Sequence, residues 1–316
     1  MLAGGEWRQM WEIVDSEEIA GDASARRYRR VRLAEGPTAV EVVYPPGGRE
    51  VLARDLEVRA WLEGRGLRVP RLLAADPAGG RALLEDFGPH DAAAELAALP
   101  LEERPGAAAR LVEPLRVLAE IPLEELPPWN EPLAGRRLRW ELAGFELWFV
   151  RHGLGTVPPA ELSGWLDDLA RRVAAHPRRV CHRDFHLNNL FFLPAGEVGV
   201  IDFQDVLVGP DSYDLASLVG ERDFPDLLGD EGTRRVGEEW AGQTHPAPGW
   251  ERRLQEVLLQ RGLKVLGTFA RLAAAGHGRY RRWMAPLCGS TGRRAAAMGA
   301  PPALHALLVQ WQAERG

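Results

Sequence analysis

The sequence predicts an α+β chain in which a small N-terminal part built on an antiparallel sheet precedes a larger, mainly helical part. Three observations predict it. The first 90 residues alternate strand-like runs with one helical run. From about residue 100 onward apolar residues recur at helical spacing. A short hairpin pattern near residue 190 interrupts those helices.

The run SARRYRRVRL ends in strand-like residues, and TAVEVVYPP reads as a second strand stopped by Pro45 and Pro46. A helix is expected from Glu50 to Glu63, with Val51, Leu52, Val58 and Leu62 on one face. RLLAADPAGGRALLEDFG then reads as two strands around a Pro-Ala-Gly-Gly turn, for an order of strand, strand, helix, strand, strand. Leu111, Leu115 and Leu118 fit a helix face that Pro114 disturbs, and IPLEELPPWNEP reads as a loop. Leu162, Trp165, Leu166, Leu169 and Val173 form a strong helical stripe; Leu254, Leu258, Val265, Phe269 and Leu272 form another. Between them NLFFL, PAGE and VGVID spell a hairpin. The expected division is a lobe over 1–87 and a second over 88–316.

Composition narrows the function classes. A 316-residue chain that is 46% hydrophobic can bury a sizeable core. A formal net charge of −6 argues against a general nucleic-acid binder. Cys181 and Cys288 are too far apart for a metal-ligand spacing and make no disulfide framework, which favours a reducing, cytoplasmic setting. No run approaches the roughly 20 apolar residues of a membrane span, so a soluble protein without a membrane partner is expected. Among 39 basic residues there is one lysine, Lys264. Any role that usually needs a lysine has one candidate.

The stretch VCHRDFHLNNLFF concentrates ligand-like side chains. His182, Asp184 and His186, spaced by two, are compatible with zinc. Asn188, Asn189 and the later Asp202 are oxygen donors that suit Mg²⁺ better. A satisfied polar loop is the plain alternative. Phosphoryl transfer needs a carboxylate for the attacking hydroxyl, oxygen ligands for Mg²⁺ and donors for the phosphates. The protein-kinase spacing H-R-D-x-x-x-x-N, followed by a hairpin ending in D-F-G, is met by His182, Arg183, Asp184 and Asn189, then by Asp202 and Phe203. Gln204 stands where the final glycine would be.

HRDFHLNN together with IDFQD resembles the aminoglycoside phosphotransferase and choline kinase group. That resemblance implies a protein-kinase-like bilobal fold, ATP and Mg²⁺ as cofactors, Asp184 as catalytic base, and Asn189 and Asp202 as magnesium ligands. His186 fits the group's second histidine, and His182 and His186 are expected to shape the loop. Asp214 in GPDSYDLASL matches the aspartate that buttresses it. GDASARRYRRV, ALLEDFG, ELAGFELWFVRHGL, VIDFQDVLVGPDSYDLASL and LQRGLKVLGTFARL look like the cell-wall amino-sugar anomeric kinases, over about residues 20 to 275. That similarity implies phosphorylation of the C1 hydroxyl of N-acetylmuramate or N-acetylglucosamine, a small-molecule sugar partner, in peptidoglycan recycling.

A kinase-like N-terminal lobe carries a phosphate-covering turn, for which AGDASARRY is the candidate. Gly21 would permit the turn, backbone N–H groups near Ala23 and Ser24 would face phosphate with Ser24 adding a hydroxyl, and an ordinary hairpin turn is the alternative. The lobe lacks the third-strand lysine, and TAVEVVYPP offers only Glu41. Arg26 and Arg27 are the replacement candidates, Arg27 being assigned to the nucleotide; the alternative is a pair of solvated strand-edge charges. Glu85 to Gly88, with Glu85 and Phe87, is expected to connect the lobes and meet the adenine. On the acceptor side Asp205 is expected to hold a sugar hydroxyl or support the metal. Lys264 is either a solvent-exposed charge or a cation facing an acidic sugar. Kinases of other small hydroxyl acceptors and a nucleotide-binding pseudokinase are the competing readings.

Overall fold

The computed structural model of the chain describes residues 12–19, 25–34, 36–220 and 223–315. The chain divides into two compact units, one reaching to Glu95 and including Asn188–Gln204, the other comprising Leu96–Leu187 and the residues from Asp205 on. Residues 188–204, which the sequence reading counts with the C-terminal lobe, therefore pack with the N-terminal unit.

The first unit holds strands β1 (Ile13–Ile19), β2 (Arg27–Leu33) and β3 (Thr38–Val43), helix α1 (Arg49–Glu63), and strands β4 (Leu72–Asp76) and β5 (Arg81–Glu85). The sheet order is β1-β2-β3-β5-β4, antiparallel throughout. The helix and four of the strands lie where expected. β1 is an addition. Its residues IVDSEEI are mostly exposed, so no buried alternation marks them as a strand. It is held by its antiparallel ladder with β2, and its acids meet β2 arginines at two points, Glu18 with Arg27 at 2.5 Å and Asp15 with Arg32 at 3.9 Å.

Strand alternation separates two cores. Val31, Leu33, Ala39 and Leu83 pack on one face of the sheet. Val42, Tyr44, Ala82 and the α1 residue Leu52 pack on the other. Glu41 falls on the first face, fully buried, and is neutralised by Arg29 and Arg81 from the flanking strands.

In the second unit come α2 (Ala92–Ala98), which begins in the first, then α3 (Arg104–Ala109), α4 (Glu113–Glu120), α5 (Gly135–Gly144), a π-helical stretch Phe145–Gly153, and α6 (Ala160–Ala174). Pro114 interrupts nothing: a 3₁₀ turn over Arg110–Val112 ends one helix and Pro114 sits in the first turn of the next, where its missing N–H costs no hydrogen bond. Strand β6 (Arg178–Cys181) leads to the hairpin β7 (Leu190–Phe192) and β8 (Val198–Val200), which belongs to the first unit, and then β9 (Leu207–Pro210) pairs back on β6. Helices α7 (Tyr213–Gly220), α8 (Phe224–Thr244), α9 (Trp250–Ala274), α10 (Arg281–Ala297) and α11 (Pro302–Arg315) complete the unit.

Helix α9 is the axis of this unit and packs on α5, the π-helical stretch, α6, α7 and α10. Its closest approach is at Gly267, where a Cβ would lie 2.6 Å from both Gly144 C and Phe145 N. The π-helical stretch begins at that crossing.

Candidate active site

The catalytic-loop candidate lies in the second unit and follows β6 directly. Asp214, in the first turn of α7, accepts the backbone N–H of His182 at 2.6 Å and that of Arg183 at 2.8 Å. Arg183 has φ +83°, a left-handed conformation that costs a non-glycine residue about 1–3 kcal/mol and persists only where surroundings hold it. Those surroundings are identifiable. The buried Arg261 of α9 donates to the Arg183 carbonyl at 3.1 Å and to Ser217 Oγ at 2.9 Å, and its guanidinium lies 4.3 Å from the centre of the Tyr213 ring. The Arg183 side chain donates to Asp205 Oδ2 at 3.0 Å and stands 3.8 Å from buried Glu141, which accepts Gln260 Nε2 at 3.1 Å.

This frame fixes the electrostatics of Asp184. Burial opposes its ionisation, but the charges of Lys264, Arg183, Arg261 and His186 outweigh that effect and hold the carboxyl well below the ordinary carboxylate range. Asp184 is a carboxylate at neutral pH. It can accept a hydrogen bond from an attacking hydroxyl and orient it. Asp214 differs: burial pushes its carboxyl up, against the pull of His182 and the two N–H bonds. His182 and His186 are both buried, and His182 meets the Phe185 ring edge-on, so both pack as part of the loop.

Lys264 stands one turn after Arg261 on α9, half-buried, with fully buried Gln260 on the same stripe. The polar stripe of this helix is turned toward the catalytic loop. The reading of Lys264 as a solvent-exposed charge gives way to one in which it supplies the largest single pull on Asp184 toward the ionised form.

The hairpin of the first unit carries Asn189 and Asp202. Ile201 N–H donates to the Asn189 carbonyl at 3.0 Å, extending the ladder beyond Leu190–Val200 and bringing the two candidates to the same end of it. Asp202 has φ +62°, a second strained non-glycine residue. Gln204 Nε2 donates to its Oδ1 at 2.9 Å, and Arg26 reaches the same oxygen at 3.5 Å. Both donors address Oδ1, and the side chain is 41% exposed. Neither donor addresses Oδ2, and Asn189 is a second oxygen-bearing candidate at the same end of the ladder. That donor set fits Mg²⁺, which binds through one or two protein carboxylates and substrate phosphates. Among the described residues no three His, Cys, Asp or Glu side chains are grouped to hold a metal ion.

The hairpin is anchored within its unit. Val200 N–H donates to the Arg68 carbonyl at 2.8 Å, and Arg68 also pairs with Glu197 at 3.3 Å. Phe87 lies 5.7 Å from Phe191, centre to centre, with Arg68 over its ring at 4.9 Å. Gly199 makes room for it: a Cβ there would fall 2.5 Å from a Phe87 ring carbon. Glu85 is gripped by Arg68, with N–O distances of 2.6 and 2.8 Å, and by Arg71. Burial alone would raise its carboxyl, but these partners bring it down to about 2. Of the phosphate-turn residues, Gly21, Ala23 and Ser24 lie outside the described residues. Arg27 is exposed and pairs with Glu18 at 2.5 Å. Arg68, Glu141 and Arg261 escaped sequence reasoning, because isolated charged residues carry no spacing signal, and Gln204 was marked only as a departure from the D-F-G glycine.

Left-handed backbone conformations occur at Asp202 in the first unit and at Arg183, beside Asp184, in the second. Residues 15–255 match the family model described as "Phosphotransferase enzyme family", and the chain belongs to that family. It is 34% identical over 281 residues to the N-acetylmuramate/N-acetylglucosamine kinase of Pseudomonas aeruginosa, covering 83% of this chain and 79% of the relative. To the kinase of the same name from Neisseria meningitidis it is 33% identical over 274 residues, 80% of this chain and 77% of the relative. Among solved structures, a choline kinase from Streptococcus pneumoniae superposes with a TM-score of 0.61 at 14% identity, covering 98% of this chain and 96% of its own. An aminoglycoside phosphotransferase from Streptomyces rimosus gives 0.59 at 21% identity, covering 82% and 96%. The fold is protein-kinase-like, and the enzyme is a phosphotransferase with a hydroxyl group as acceptor.

Proposed function

We propose that this enzyme transfers the γ-phosphoryl group of ATP to the anomeric hydroxyl of N-acetylmuramate or N-acetylglucosamine, a step of peptidoglycan recycling in the cytoplasm. The observation that carries the acceptor assignment is the 34% identity over most of the chain to a kinase of that name. The electrostatics support it. Lys264, Arg183 and Arg261 gather around Asp184, a setting that suits a neutral or anionic sugar better than a polycationic aminoglycoside.

In this reading Asp184 accepts a hydrogen bond from the sugar hydroxyl and aims its lone pair at the phosphorus. The depressed basicity of Asp184 means that it orients the hydroxyl first and receives the proton as the new O–P bond forms, while the bond from the γ-phosphorus to the β–γ bridging oxygen breaks and ADP leaves. Most of the rate comes from positioning and from fixed charge. Asn189 and Asp202 would hold Mg²⁺, whose chemistry there would be charge neutralisation on the phosphates. Asp205 is assigned to the acceptor side through its bond with Arg183. Glu85 and Phe87 are assigned to the connector beside the adenine, and Gly21, Ala23 and Ser24 to the phosphates.

The test is an assay with ATP, Mg²⁺ and each amino sugar, with the phosphorylated position read by NMR. The expected product is the sugar 1-phosphate. Asp184→Asn is expected to bind nucleotide normally and to lose turnover. A 6-phosphate product, or faster turnover on an aminoglycoside or choline, refutes the acceptor assignment.

A further inference from the structure

The phosphates of a bound nucleotide need a fixed cation, and protein kinases supply it as a third-strand lysine paired with an acid on the following helix. This chain cannot do so. Its only lysine, Lys264, lies in the other unit. The charged residue of β3 is Glu41, which is buried, negative and already paired.

Arg26 sits immediately before β2, on the same strand face as Tyr28 and opposite to Arg27. Its NH1 lies 3.0 Å from Asp55 Oδ2, and Asp55 is on α1, the helix that follows β3. Tyr44 donates its hydroxyl to the same oxygen at 2.8 Å, and the rings of Tyr28 and Tyr44 flank the guanidinium at 5.7 and 6.0 Å. The other nitrogen of the fork, NH2, points at Asp202 Oδ1, 3.5 Å away. One end of Arg26 is thus clamped to a helix acid and the other is held loosely at the candidate metal ligand.

The neighbouring arginines are engaged elsewhere, except Arg54, whose NH2 stands 4.0 Å from Asp55 Oδ1 on the side away from Arg26's contact with Oδ2. Arg29 and Arg81 serve Glu41, Arg30 is bidentate on Asp86, and Arg68 is bidentate on Glu85. Asp55 is itself unusual. It is buried, and its Oδ1 has no hydrogen-bond partner. A buried ion pair with an unsatisfied oxygen is a poor way to stabilise a fold. It is a good way to hold an arginine in one orientation.

We infer that Arg26, clamped by Asp55 and Tyr44, is the cation that holds the nucleotide phosphates in this enzyme, and that its NH2 exchanges Asp202 for a phosphate oxygen when nucleotide binds. This rests on the nucleotide reading given above. Arginine suits the role because its fork addresses a carboxylate and a phosphate at once. Asp55 is a positioning residue that acts through Arg26.

The experiment is calorimetric titration of the full-length enzyme with ADP and with ATP, with and without Mg²⁺, on wild type, Arg26→Ala, Arg26→Lys and Asp55→Asn. Thermal unfolding without nucleotide accompanies each. Arg26→Ala is expected to weaken nucleotide binding on the order of 10- to 100-fold, the scale of one charged hydrogen-bond set. Arg26→Lys is expected to recover part of it, since the ammonium keeps the charge and loses the fork, and Asp55→Asn to fall between wild type and Arg26→Ala. The KM for sugar should stay within about twofold while the KM for ATP rises, a split that a merely structural pair does not produce. Wild-type binding with Arg26→Ala unchanged in affinity overturns this inference alone. So does an Arg26→Lys variant that folds like wild type yet binds no better than Arg26→Ala. A wild-type enzyme that binds neither nucleotide overturns the nucleotide reading and this inference with it.

Discussion

Replacing Asp214 by Asn tests whether the catalytic loop is held by the bonds described here. Each oxygen of Asp214 accepts one backbone N–H, from His182 at 2.6 Å and from Arg183 at 2.8 Å. Asn keeps one acceptor and presents an NH₂ group to the other N–H. One charge-assisted bond worth about 1.5–3 kcal/mol is lost, and a buried N–H is stranded at a further cost of about 1–3 kcal/mol. The same change removes a restraint on Arg183, whose φ of +83° stores about 1–3 kcal/mol of strain. The loop is expected to relax, displacing Asp184. With tenfold in rate for each 1.4 kcal/mol, a loss of about 2–3 kcal/mol lowers kcat on the order of 30- to 100-fold. Nucleotide affinity should not change, because its assigned residues lie on the other unit. The assay is steady-state phosphoryl transfer together with ADP titration and thermal unfolding. A variant with kcat within threefold of wild type and an unaltered Tm refutes the reasoning, since the loop would then keep its shape without these bonds.

Two further outcomes follow from the geometry. The Asp184 carboxyl is depressed, so the stability and activity it supports are present above the ordinary carboxylate pKa of about 3.9 and are lost only as pH falls through its lower folded value. Lys264→Met should therefore move the acid limb of the kcat/KM profile to higher pH, Lys264→Arg should leave it in place, and identical profiles for Met and wild type would exclude Lys264 as the main charge on Asp184. Gly267→Ala places a methyl group 2.6 Å from the Gly144 and Phe145 backbone, which cannot rotate away as a side chain can; overpacking of this kind costs about 1–3 kcal/mol, so urea titration should show a lowered midpoint, and an unchanged midpoint would mean that the crossing of α9 on α5 is looser than described.

Much of the fold was legible because its elements bury one face. Strand-like runs bounded by proline and glycine turns marked β2 to β5, the 3.6-residue period marked α1, α6 and α9, and the hairpin was readable from NLFFL, PAGE and VGVID. The strand β1 escaped because its residues are mostly exposed and show no apolar alternation, while its ladder with β2 is made by the backbone. Pro114 misled for a local reason: its position within a run cannot say whether it breaks one helix or starts another.

The motif residues of the site share this division. The spacing of His182, Arg183, Asp184, Asn189 and Asp202 was a property of the chain, because a loop and hairpin of set length place them in a set order. What those residues do electrostatically depends on partners far away in sequence. Asp184 is ionised because α9 brings Lys264 and Arg261 to it, across about eighty intervening residues. Arg26 and Arg27 are adjacent and chemically identical, and the sequence alone could not choose between them. The strand sends one to Asp55 and Asp202 and the other to an exposed glutamate. Chain order sets which chemistry is present. Tertiary contact sets charge state and direction, because Coulomb interaction and side-chain alternation act through space and not along the sequence.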